Sequence, residues 1–177
     1  MWSERCDAGS SSYRNHLYCL RTHADSCFGE KVTSVLHLVG PGGAGKTSVG
    51  SVLAQRLGWQ FIDLDERFMS FEGNIGAFIA TLGYGAYAKQ NIAVYRRIRC
   101  WLAAPTVLAL SSGFLTYPED IDHEYQALRC SIESDALTSL LLPAFELEPC
   151  VEIIVQRLPP DHCLKSWVHF TAPARSG

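Results

Sequence analysis

Apolar residues follow two alternating rhythms along the middle of the chain. Residues 32–39 (VTSVLHLV) are β-branched and aliphatic and run straight into a glycine cluster, as a buried strand does. In 48–57, Val49, Val52, Leu53 and Leu57 fall at helical spacing, and Gly58 follows as a C-terminal stop. A short strand over 59–64 comes next, then helical stretches over 75–82 and about 87–102. Pro105 introduces a strand over 106–110, and 119–133 reads as a helix whose Glu119, Asp120, Asp122 and Glu124 suit its N-terminus. A strand over 136–142 and a helix over 148–157 close the pattern. Such alternation demands crossover connections, so an α/β three-layer sandwich is expected, with a central parallel sheet flanked by helices.

The flanks differ in character. Residues 1–30 have no periodicity and are expected to be a disordered extension; 31–157 form the domain. Residues 158–177 follow Leu158-Pro159-Pro160 and read as an atypical tail, with one possible strand over 166–171. Lys plus Arg is 15 and Asp plus Glu is 18, a net charge of −3 that gives no electrostatic case for nucleic acid or an anionic membrane. No apolar run approaches the roughly 18 residues of a membrane span. The first 30 residues carry no apolar signal region, so a cytoplasmic protein is expected, and it is read as a monomer. The seven cysteines read as reduced thiols; Cys6, Cys19 and Cys27 with His16 and His23 match no common zinc spacing.

Composition therefore leaves the chemistry to motifs. Gly40-Pro41-Gly42-Gly43-Ala44-Gly45-Lys46-Thr47 fits GxxxxGK[ST] between an apolar strand and the opening of a helix, the context that pattern requires. Glycines let successive backbone N–H groups point inward at a phosphate, and the helix N-terminus adds its dipole and unpaired amides. Lys46 would neutralise β- and γ-phosphate charge, and the Thr47 hydroxyl would ligate Mg²⁺. The segment is a nucleotide-binding P-loop.

At the end of the second strand lie Asp63 and Asp65, where ligands of open parallel sheets bind. Strand alternation would put both on one side, one supporting Mg²⁺ and the other meeting a substrate hydroxyl or its proton. Capping of a following helix is the plainer alternative.

Residues 39–65 resemble the opening of a shikimate kinase, which joins a P-loop to LAxxLG and FxDxD at this spacing, here Leu53 to Gly58 and Phe61 to Asp65. The likeness continues more weakly over 75–97 and 106–114, and covers about 32–157 in all. It implies the P-loop kinase fold and transfer of the γ-phosphoryl group of ATP to the 3-hydroxyl of shikimate. By resemblance, Gly43, Ala44, Gly45, Lys46, Thr47 and Ser48 hold the phosphates, with Lys46 also catalytic. Thr47 and Asp63 serve Mg²⁺, and Asp65 holds and deprotonates the acceptor. Ser112 and Gly113 match part of the glycine-rich acceptor turn.

Departures cluster on the acceptor side. The family motif GExxFRxxE falls on 83–91, placing Tyr87 at its phenylalanine and Ala88 at the arginine that grips the shikimate carboxylate. Lys89 is next door but about 100° round the helix. An arginine restored at 88 is expected to restore carboxylate binding. The triple glycine of the family falls on Ser111-Ser112-Gly113. Family members continue into an arginine-bearing lid, which 158–177, with Lys165 and Arg175, does not resemble; a truncated or altered C-terminus is expected. Two functions stay open: a kinase for shikimate or a related polyhydroxylated acid, and a nucleotide-binding relative with little turnover. Among the remaining residues, Trp59, Phe61, Phe68, Phe78 and Trp101 read as packing, and His37 as a buried, hydrogen-bonded residue. Arg96, Arg97 and Arg99 read as a solvated face, and Cys150 as part of a helix.

Overall fold

The computed structural model describes residues 33–157; the expectations for 1–30, for Val32 at the start of the first strand and for 158–177 lie outside that range. The strands are β1 (Val35–Val39), β2 (Gln60–Asp63), β3 (Thr106–Ala109) and β4 (Thr138–Leu140). The helices are α1 (Lys46–Leu57), α2 (Leu64–Glu72), α3 (Ile75–Leu82), α4 (Tyr84–Trp101), α5 (Tyr125–Glu133) and α6 (Leu147–Arg157). The four strands form one parallel sheet in the order β2-β3-β1-β4, with Val35 opposite Thr106 and His37 opposite both Leu108 and Thr138.

Alternation along β1 and β3 divides the core between the two sheet faces. Leu38 and Val107 pack with Ala54 of α1, and Leu36, Leu53, Trp59 and Phe61 close around them. On the other face Val35, Leu108 and Leu110 meet Leu64, Phe68, Tyr87, Ile92, Tyr95, Phe114 and Tyr125. Burying a large side chain such as Phe68 contributes about 2–3 kcal/mol. The helical layers thus cover both faces, as the hydrophobic pattern requires.

Several local expectations are corrected. The face that α1 turns to the sheet is Gly50 and Ala54, while Val49, Val52 and Leu57 are exposed. Small residues win because the helix lies close to the sheet: a Cβ on Gly50 would be only 2.5 Å from the Phe61 ring. Residues 64–72 form α2, a helix the hydrophobic rhythm does not announce. Asp63 starts it, accepting from the amides of Asp65 at 2.9 Å and Glu66 at 3.4 Å. Trp101 is not packed inside; it is 71% exposed and lies beside the Arg97 guanidinium, which also stacks over Phe71. Nor is Arg96 merely solvated, for it pairs with Asp122 at 2.7 Å and Glu124 at 3.3 Å. That clamp and the bond from the Glu124 amide to Asp122 hold Asp122 extended. The acidic run therefore makes a 3₁₀ turn, Glu119–Ile121, and α5 begins only at Tyr125.

His37 is buried as expected, its Nε2 3.0 Å from the Tyr95 hydroxyl. Phe68 is buried, and Trp59, Phe61 and Phe78 pack against the two core clusters. Among the described residues no helix is long and apolar enough to cross a membrane.

Candidate active site

The loop from β1 to α1 curls because glycine permits it. Gly40 has φ +147°, and a Cβ there would collide with the carbonyl oxygen of Leu141, next to β4. Gly45 stands in the left-handed region at φ +93° and forms the N-cap of α1, so the unpaired amides of the first turn open onto the loop. Lys46 folds back over this loop, donating to the carbonyls of Gly40 at 2.8 Å and Pro41 at 2.9 Å. Burial lowers its ammonium pKa, opposed by the negative charges of Asp65 and Asp63. The lysine is thus a buried cation held between the loop and two carboxylates.

Thr47 donates its hydroxyl to Asp63 Oδ2 at 2.6 Å. Asp63 thus takes the plainer alternative through Oδ1, which caps α2, while its Oδ2 faces the P-loop threonine. Asp65 is reached by a different route from strand alternation, because β2 stops at Asp63 and Asp65 stands in the first turn of α2. Both carboxylates still line one cavity of about 640 Å³ with the P-loop. Asp65 Oδ1 is buried and has no hydrogen-bond partner among the described residues. Burial is the main cause raising its carboxyl pKa, and Asp63 adds to it; Ser111, Lys46 and Tyr87 act in the opposite sense.

Gly43, Ala44, Gly45, Lys46, Thr47 and Ser48 all line the cavity, as does Ser112. Gly113 does not line it; with φ +80° it turns the chain into the 3₁₀ segment Phe114–Thr116, so its part is backbone geometry. Ala88 is fully buried in the core. An arginine at that position would have to enter the hydrophobic cluster, which overturns the expectation that it would simply restore a carboxylate grip. Lys89 is exposed.

Sequence reasoning missed Arg157, at the end of α6. It lines the cavity and donates to the Gly43 carbonyl at 3.0 Å. Its 114-residue separation from the loop left no local signal. A hydroxyl and a carboxylate facing each other beside a phosphate loop are hard oxygen donors, suited to a cation that keeps waters and takes phosphate oxygens. Thr47 and Asp63 therefore fit Mg²⁺.

A phosphate-shaped loop at the carboxyl end of the first strand of a parallel sheet, with Lys46, Thr47 and two carboxylates around it, defines a P-loop kinase fold. The shikimate kinase family model matches residues 42–126. Shikimate kinase 2 of Salmonella schwarzengrund is 28% identical over 119 residues, covering 67% of this chain and 64% of the relative. Shikimate kinase 2 of Salmonella typhimurium is 28% identical over 115 residues, covering 64% and 61%. The solved structure of shikimate kinase from Acinetobacter baumannii in complex with shikimate has 26% identity and a TM-score of 0.56, covering 73% of this chain and 64% of that one. The chain is thus similar to shikimate kinases over residues 42–126 and shares the fold of a solved member of that family. It spans less than two thirds of the length of these relatives.

Proposed function

We propose that this chain binds Mg²⁺ and ATP in the cavity around residues 40–48 and transfers the γ-phosphoryl group to a hydroxyl of a small hydroxy acid of the shikimate type. One observation carries the reading: Asp65 lines the same cavity as the Thr47–Asp63 pair and Lys46. Loop amides and the N-terminus of α1 bind phosphate oxygens. Lys46 would exchange the Gly40 and Pro41 carbonyls for phosphate oxygens, and its charge matches the negative charge of the transferring group. Thr47 and Asp63 would hold the metal, which when bound neutralises phosphate charge. Asp65, raised by burial, takes the proton of the acceptor hydroxyl as that oxygen bonds to the γ-phosphorus and ADP leaves.

The test is ADP formation with Mg²⁺ and ATP across shikimate and related polyhydroxylated acids, run beside Asp65→Asn. Acceptor-dependent ADP from the unsubstituted chain, lost in Asp65→Asn, supports the assignment. Acceptor-independent rates identical in both proteins contradict it. The buried Ala88 favours a second reading, a nucleotide-binding relative with little turnover. ATP binding without any acceptor-dependent ADP would select that reading.

A further inference from the structure

Behind Asp65 lies a buried chain of hydroxyl and amide groups. Asn91 on α4 is fully buried; its Nδ2 donates to the Tyr117 hydroxyl oxygen at 2.9 Å and to the Tyr87 hydroxyl oxygen at 3.4 Å. Tyr87 thus accepts through its oxygen, which leaves its own O–H proton to donate elsewhere. Its ring is fixed by Phe68, with centroids 5.0 Å apart at 62°, so the hydroxyl has little freedom to swing away. Ser111, at the end of β3, is also buried, and its Oγ has no hydrogen-bond partner among the described residues.

Asp63 pairs with Ala109 across β2 and β3, so Asp65 and Ser111 each stand two residues beyond that pair, and Tyr87 packs in the same core cluster as Leu64, the neighbour of Asp65. Asp65 Oδ1 is equally without a partner among the described residues, and both hydroxyls act on its carboxyl to lower its pKa. Two buried donors and one buried, unmatched acceptor therefore share one place. Leaving a buried carboxylate oxygen without a donor is costly, so short adjustments that join them are favoured. The hydroxyls are this chain's own: Tyr87 stands at a phenylalanine and Ser111 at a glycine of the family motifs.

We propose that Tyr87 and Ser111 are positioning residues whose hydroxyls donate to the Asp65 carboxylate and hold it toward the acceptor. Asn91 completes the arrangement by directing the Tyr87 proton outward from α4. The inference rests on the reading of Asp65 as the group that meets the acceptor hydroxyl.

The contact itself is read by proton NMR of the full chain, from the Tyr87 hydroxyl resonance, assigned by its loss in Tyr87→Phe. Asp65→Asn should move that resonance upfield, because a neutral amide is a weaker acceptor than a carboxylate. A Tyr87 resonance indifferent to Asp65→Asn overturns the proposal. With ATP and shikimate as the probe reaction, Tyr87→Phe and Ser111→Ala should each lower kcat about tenfold, the loss of one hydrogen bond to a charged group. KM for ATP should stay constant, and Ser111→Thr, which keeps the hydroxyl, should restore the rate. Equal kcat in Ser111→Ala and Ser111→Thr also overturns the proposal. Absence of transfer by the unsubstituted chain counts against the kinase reading, while the resonance still decides the contact.

Discussion

Acidification should destabilise this domain through His37, and the size of the effect follows from its surroundings. The residue is 2% exposed in the middle of β1, the strand that delivers the phosphate loop. Its Nε2 meets the Tyr95 hydroxyl, and its Nδ1 is buried without a partner among the described residues. A protonated ring would carry a donor at Nδ1 with nothing to receive it. Burial, aided by the charge of Arg99 and opposed by Asp135, lowers the pKa from 6.5 to about 4. The folded state therefore binds this proton less readily than the unfolded chain. The linkage has no effect above the unfolded value; stability is lost as pH falls below 6.5 towards 4. Over that window the loss amounts to about 3 kcal/mol. Urea unfolding of the full chain and of His37→Gln at pH 7 and pH 4 isolates the contribution, because other acid-sensitive groups are common to both. The advantage of the unsubstituted protein over the variant should shrink by about that 3 kcal/mol. An advantage that is the same at both pH values would refute the assignment of a neutral, buried His37.

Two further substitutions address the loop and the core. Gly40→Ala forces a Cβ against the Leu141 carbonyl at φ +147°, and should cost about 2 kcal/mol in denaturant unfolding while weakening ATP binding. Ala88→Arg drives a guanidinium into a fully buried position and should cost about 3 kcal/mol or more. Thermal unfolding of that variant at or above the unsubstituted midpoint would show that position 88 opens onto solvent or ligand instead.

The sequence discloses the alternating architecture because strand composition and glycine punctuation are local signals. Residues 106–110 are almost purely apolar, and the P-loop carries its own spacing, so both are legible without a structure. What stays hidden depends on partners remote in sequence. Val49 and Val52 look like the packed face of α1, but the helix turns Gly50 and Ala54 to the sheet, which lies too close at Gly50 for any side chain. The delayed start of α5 is set by Arg96, on a different helix 26 residues away from Asp122. Asp63 and Asp65 line one cavity through a capped helix rather than an extended strand, a geometry that alternation alone does not disclose. Arg157 joins the site only because the fold brings the end of α6 beside the phosphate loop.

Every chemical role assigned above depends on the phosphate loop being a site for Mg²⁺ and ATP, and calorimetric titration of that pair into the full chain and into Lys46→Ala tests it most directly. Removing the ammonium takes a cation from several phosphate charges, and should weaken binding by at least the ~1.5–3 kcal/mol of a charged hydrogen bond, about ten- to hundredfold. The variant is expected to keep its fold, since among the described residues the Lys46 ammonium bonds to the Gly40 and Pro41 carbonyls alone, within its own loop. Saturable binding to the unsubstituted chain that is weakened in Lys46→Ala is the predicted result. Equal affinity in the two proteins, or no binding to either, would contradict the account.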